Sequence, residues 1–178
     1  MVAIIYQIWS PLTLVAQLII IGLVVLLVVV KVQKKSNALF EFVQDNALWL
    51  GFVVALVSTL GSLFYSDIMM YTPCKLCWYQ RIFMYPQVIL LGMAAWKKDN
   101  FVVNYSIVLS AVGLGISAFH YYGQMIDSGV LACATLGQTA SCATLHVLDY
   151  GYITIPMMCL TAFTLIALLM VSKKLYNK

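Results

Sequence analysis

Five stretches of this sequence are long and apolar enough to cross a lipid bilayer, and no other feature restricts its fold as strongly. A crossing helix needs about 20 apolar residues. The stretches are Leu12–Val30, Ala47–Ser66, Trp78–Trp96, Phe101–Tyr122 and Gly151–Ser172. The first carries no charge, and the third is interrupted only by Arg81. Hydrocarbon offers the backbone no hydrogen-bond partners, so each run is expected to be a helix. With 9% charged and 63% apolar residues, against about a quarter charged in a soluble domain, the chain reads as an all-α integral membrane bundle. Its 178 residues leave no room for a soluble domain between the runs. A net charge of +4, scattered over the ends of the apolar runs, excludes nucleic acid as a partner and leaves membrane lipid.

The lysines orient the bundle. Lys31, Lys34 and Lys35 follow the first run, Lys97 and Lys98 the third, and Lys173, Lys174 and Lys178 the fifth. Positive residues favour the cytoplasmic side, and clusters after every second run can all be cytoplasmic together. The N-terminus and the segments 67–77 and 123–150 then lie outside, with Lys75 the lone exception. The first run has no basic flank upstream and no small-residue cleavage site after it, so it reads as an N-out anchor rather than a cleaved signal. Ser36–Asn46 mixes helix-capping and apolar residues and predicts an interfacial helix. Lys97–Asn100 predicts a tight turn between antiparallel neighbours.

Four of the five cysteines fall in the two outer segments, where disulfides can persist. Cys74-Lys75-Leu76-Cys77 follows Pro73 and opens the third run, at a helix N-terminus whose partial positive charge favours a thiolate. Arg81 follows one turn deeper on the face of Cys77. An arginine inside a span marks a functional site by default, either for a Cys77 thiolate or for a bound electron acceptor; the plain alternative is an arginine reaching back to the interface. Cys133 and Cys142 lie in a Gly-, Ser- and Thr-rich segment, where a disulfide would be accessible to a partner's thiolate or serve only as a staple. The doubled Cys-Ala-Thr-Leu at 133–136 and 142–145 is too short to be a repeat. Cys159, inside the fifth run, reads as a small core residue. His120 stands near the outer end of the fourth run, a common place for an interfacial histidine. His146, Asp127 and Asp149 read as solvated loop residues, and the sequon at Asn104 lies inside an apolar run and is discounted.

The stretch Pro73-Cys74-Lys75-Leu76-Cys77-Trp78-Tyr79-Gln80-Arg81-Ile82 through Tyr85-Pro86 resembles the disulfide bond formation protein B family, most nearly its Gram-positive, BdbC-like branch. Leu60-Gly61-Ser62-Leu63 and Gly151-Tyr152-Ile153-Thr154-Ile155-Pro156 extend the resemblance, which runs from about Asn37 to Lys174. It implies a four-helix thiol–quinone oxidoreductase bundle over 37–178, preceded here by an extra transmembrane helix and basic linker at 1–36. It implies further that Cys74, Cys77, Cys133 and Cys142 are catalytic. A thioredoxin-like extracytoplasmic oxidase of the DsbA or BdbD kind would be reoxidised at Cys133, and the released Cys142 or its neighbour would pass electrons to Cys74–Cys77. Cys77 would then deliver them to a quinone, ubiquinone or menaquinone, held near Arg81 and His120. The expected home is a prokaryotic plasma membrane. The extra helix and a short second loop depart from the Gram-negative pattern.

Three rival readings are weaker. Vitamin K epoxide reductase relatives carry their C-x-x-C late in the chain, on the last core helix. A reductive thiol carrier keeps its cysteines within the bilayer, as only Cys159 is here. A non-enzymatic protein with structural disulfides or a four-cysteine zinc site leaves Arg81 with little to do, and the C-x8-C spacing is wide for zinc.

Overall fold

The computed structural model of the chain describes residues 2–33, 38–126 and 142–176, excepting the side chains of 2–7 and 176. Each apolar run is helical, except that the fifth, expected from Gly151, opens with a turn and a bridge at 151–154 and becomes helix only at Ile155. The helices are α1 (Val2–Gln33), α2 (Ala38–Asp45), α3 (Ala47–Leu63), α4 (Lys75–Lys97), α5 (Val102–Met125) and α6 (Ile155–Tyr176). A single π-helical turn, Phe64–Ile68, prolongs α3. Four helical stretches, Ile8–Gln33, Ala47–Ile68, Val102–Met125 and Ile155–Leu175, are long and apolar enough to cross a membrane.

The third expected span is the exception. Helix α4 has 23 residues, ample for a crossing, but it does not join that set, because its hydropathy is lowered by polar side chains aimed inward. Gln80 and Gln87 are buried. The Gln87 Oε1 accepts hydrogen bonds from Ser106 and Ser110 of α5, at 2.8 and 3.1 Å, so these buried polar groups satisfy one another. Such pairs hold helices together in apolar surroundings, where the hydrophobic effect cannot distinguish a neighbouring helix from lipid.

Helices α3, α4, α5 and α6 form the bundle, and α6 is its axis. Phe163, Ile166 and Met170 of α6 are fully buried, with Leu91 of α4 in the same core. Small residues admit these large ones. A Cβ on Gly113 would stand 2.4 Å from the Phe163 ring, and one on Gly51 would stand 3.0 Å from the Met170 methyl. Helix α1 lies outside, against α6, with only 11% of its apolar window buried.

The Lys97–Asn100 turn forms as expected. Lys98 adopts the left-handed conformation that ends α4, and the Asp99 carboxylate accepts from the Phe101 amide at 2.8 Å. The helix expected within Ser36–Asn46 is α2, whose Gln44 donates to the Ser172 carbonyl at 3.0 Å. This pairing, with Arg81 against Ser62 and Ser10 against Asp149, puts Lys31, Lys97, Lys98, Lys173 and Lys174 at one end of the bundle. The described cysteines of the outer segments lie at the other end.

Candidate active site

Chain direction reverses after the π-turn, where Met70 takes the left-handed conformation, and residues 71–74 form no regular element before α4. Cys74 holds the N-cap position with an extended backbone, and Cys77 sits in the first turn. Both are free thiols, with Cys74 donating to the Cys77 sulfur at 3.5 Å. Cys142, at the re-entry of the second outer segment, packs its side chain on Cys74 in a small cluster with Leu76, Cys77 and Ala143. Cys74 and Cys142 are both almost wholly buried. Three of the four expected cysteines are therefore gathered at one point. Cys133 lies outside the described residues.

His120 is buried, not interfacial. Its Nε2 faces the Cys142 carbonyl at 3.1 Å and the Cys74 sulfur at 3.8 Å, and its Nδ1 faces the Gln80 amide nitrogen at 3.3 Å. A carbonyl can only accept and an amide NH₂ can only donate, so these neighbours select the tautomer protonated on Nε2. That N–H is aimed where it can meet negative charge on Cys74. Gln124 also donates to the Cys142 carbonyl, at 3.1 Å, which fixes Cys142 against the end of α5.

Within the C-x-x-C pair, Cys74 is the hydrogen-bond donor and Cys77 the acceptor. Its hydrogen bond to Cys77, then burial, push the Cys74 thiol up to about 12. Burial, then Cys74 itself, push Cys142 up to about 11. At Cys74 these two causes, the hydrogen bond to Cys77 and burial, act against the lowering expected from the helix N-terminus. A raised thiol stays protonated and unreactive until pH approaches its pKa. In the reduced protein, initial alkylation by iodoacetamide at pH 7 is expected at Cys77 ahead of Cys74. Cys74 labelling should then rise about tenfold per pH unit through the alkaline range. Adduct mapping by mass spectrometry checks this, and Cys74 labelling first at neutral pH would refute it.

Two cavities meet at Cys77. A small one of about 30 Å³ lies among Cys74, Cys77, His120 and Cys142. The other, about 280 Å³ and mostly apolar, runs between α1, α3, α4 and α6. Among the described cysteines, Cys77 alone borders both. Arg81 lines the larger cleft, where its Nε and Nη2 donate to the Ser62 hydroxyl and carbonyl at 3.0 and 3.1 Å. Its guanidinium also lies 5.1 Å from the Trp78 ring centroid. His120 borders the small cavity and not the cleft.

Several participants escape a sequence reading. His146 stacks on Tyr71 at 4.7 Å, Tyr71 stacks on Tyr65, and His146 borders both cavities. Asp149 accepts from Ser10 of α1. Cys159, half-buried against the core as expected, also faces the cleft. Gln80 had no signal beyond being polar inside an apolar run. Asp127 lies outside the described residues.

This arrangement coincides with a family match. The family model for disulfide bond formation protein DsbB covers residues 44–172. The chain belongs to the DsbB family. It is 43% identical over 124 residues to a probable disulfide formation protein C 1 of Bacillus cereus, covering 70% of this chain and 88% of that protein. With disulfide bond formation protein C of Bacillus subtilis it shares 41% over 125 residues, covering 69% and 88%. A probable disulfide formation protein of Coxiella burnetii is 35% identical over 145 residues, covering 78% and 98%. No solved structure matches the chain. Membership supports a membrane protein that generates disulfides. Helix α1 and the linker to residue 43 precede the matched segment.

The sulfurs of Cys74 and Cys77 and a ring nitrogen of His120 lie within 4.8 Å of one another, close enough to share a metal ion. That set differs from the four-cysteine zinc site expected as a rival, since it recruits His120.

Proposed function

We propose that this protein is a thiol:quinone oxidoreductase of the plasma membrane, in which Cys133, Cys142, Cys74 and Cys77 relay electrons from an extracytoplasmic thioredoxin-like oxidase to a membrane quinone. The observation that carries the proposal is the position of Cys77 on the wall between a cavity of thiols and an apolar cleft. We read 37–178 as the oxidoreductase unit and 1–36 as an added helix with its linker. All five long helices cross the membrane, with the lysine end cytoplasmic and the cysteine end outside.

The relay conserves atoms and charge. A thiolate of the reduced partner attacks Cys133 of a Cys133–Cys142 disulfide and releases Cys142. The partner's second thiol displaces Cys133, and the partner leaves oxidised. Cys142 attacks Cys74 of a Cys74–Cys77 disulfide and expels Cys77 as a thiolate. Packing of Cys142 on Cys74 supports attack at that sulfur. Cys133 then attacks Cys142, restoring its own disulfide and expelling Cys74, whose charge meets the His120 Nε2–H and which takes up a proton. The C-x-x-C pair is now the dithiol.

The cleft suits a quinone. It is apolar along its length and polar at the end near Ser62, Gln80 and Arg81, where donors can meet carbonyl oxygens. Bound there, a quinone accepts two electrons and two protons. Cys77 borders the site, and Arg81 is the charged donor in it. The sum is one partner dithiol oxidised for each quinol formed.

The test is quinone reduction by the purified protein with a reduced thioredoxin-like oxidase as donor, using ubiquinone and menaquinone in turn. One quinol per partner disulfide is expected. No turnover with either quinone, together with stoichiometric zinc in the purified protein, would replace this reading with the Cys74, Cys77, His120 metal site.

A further inference from the structure

Helix α1 has a defined seat on the bundle. The Ser10 hydroxyl donates to the Asp149 carboxylate, seven residues after Cys142. The Tyr152 hydroxyl donates to Gln17 Oε1 at 2.8 Å, and Gln17 Nε2 donates to Thr161 of α6 at 3.4 Å. In an apolar medium, polar contacts of this kind set a helix's rotation and depth, which contact between apolar side chains alone leaves free to slide.

The rotation so chosen turns Leu12, Val15, Ala16 and Ile19 toward the cleft. Across from them stand Val53, Val54 and Val57 of α3, with Leu165 of α6. At the outer end Trp9 lies on α3, its ring so close to Gly61 that a Cβ there would come within 2.9 Å. The same indole packs beside Phe64 and Tyr65, at centroid distances of 6.1 and 6.5 Å. Gly61 immediately precedes Ser62, the residue that holds Arg81. Trp9 is therefore level with the polar end of the cleft. Ala16, seven residues on, faces α3 about 10 Å deeper, by the helical rise.

A wall of short aliphatic side chains leading inward from a polar end matches the shape and chemistry of a quinone, with its polar head and branched hydrocarbon tail. We infer that α1 is the fourth wall of the acceptor site, holding the isoprenoid tail between its Leu12–Ile19 face and α3 while the head stays at Arg81 and Cys77. The inference rests on the quinone reading above and adds the tail as occupant and α1 as its holder. An element outside the family's matched segment thereby takes part in acceptor binding.

Photolabelling tests this directly. The intact protein in lipid vesicles is irradiated with ubiquinone and menaquinone analogues carrying a diazirine either on the head or on the first isoprene units, and adducts are mapped by mass spectrometry. Head adducts on α4 near Arg81 and tail adducts on both α1 (between Leu12 and Ile19) and α3 are expected. Head adducts on α4 with tail adducts confined to α3 and α6 would overturn the role of α1 and leave the quinone reading standing. No saturable head adduct at all would overturn both. A bulkier wall supplies a second readout. Ala16→Phe should raise KM about tenfold for a tailed quinone, the scale expected when a packed site is overfilled. It should leave KM unchanged for the same head group without a tail, and equal rises for both would overturn the assignment of the tail to this face.

Discussion

Cys77→Ser is expected to abolish quinone reduction, lowering turnover by roughly three orders of magnitude or more, as losing a reacting group does. The reason is positional. Among the described cysteines, Cys77 alone borders both the thiol cavity and the cleft, so none of the other three can take its place. Cys142 reaches Cys74 but not the cleft, and Cys159 borders the cleft but not the thiol cavity. The variant should still form the Cys133–Cys142 disulfide. Its Cys74 thiol can exchange with that disulfide, giving a Cys74–Cys142 link and a free Cys133 thiol. Non-reducing peptide mapping should find that link. Undiminished quinone reduction in the variant would end the assignment of Cys77, and absence of any Cys74–Cys142 link would end the proposed route between the pairs.

Arg81→Ala should weaken quinone use without unfolding the bundle. Hydrogen bonds to a charged donor contribute about 1.5–3 kcal/mol, so losing one to a quinone carbonyl raises KM roughly ten- to hundredfold. Arg81 also joins α4 to α3 through Ser62, and Tyr85 donates to the same Ser62 hydroxyl at 3.3 Å. Ser62→Ala separates the two contributions. It removes the hydroxyl that orients the guanidinium but keeps the charge and the carbonyl contact, so its KM should rise far less than that of Arg81→Ala. Helical circular dichroism and thermal unfolding in detergent check that both variants remain folded. Unchanged quinone dependence in Arg81→Ala would remove its proposed role in the acceptor site.

The thiol centre also bears on how the two disulfides of the proposed relay would communicate. Buried, protonated thiols are poor nucleophiles, so a reduced Cys74 held at about 12 is slow to react with stray disulfides. It becomes a good leaving group only where something stabilises its thiolate. The His120 Nε2–H is placed for that, and Gln80 keeps the imidazole in the tautomer that can donate.

Local pattern carried much of this. Apolar runs of crossing length mean helices because hydrocarbon leaves the backbone no other partners. Lysines after alternate runs place two cysteine segments at one end. Pro73 and the apolar run after Cys77 put the C-x-x-C at a helix start, and the surrounding residues disclose the family. All of these are properties of neighbours in the chain. The tertiary structure decided what depends on distant residues meeting. Cys142 packs on Cys74 from across 68 positions, His120 turns from an apparent interfacial residue into a buried partner of Cys74, and Ser10 finds Asp149 from 139 residues away. The partners of the polar residues in α4 were also decided there, where Ser106 and Ser110 meet Gln87 and His120 meets Gln80. Hydropathy sums side chains one by one, whereas burial and hydrogen bonding are set by which helix faces another, and in a bundle of similar apolar helices that choice is made by a few polar pairs and close-packed glycines.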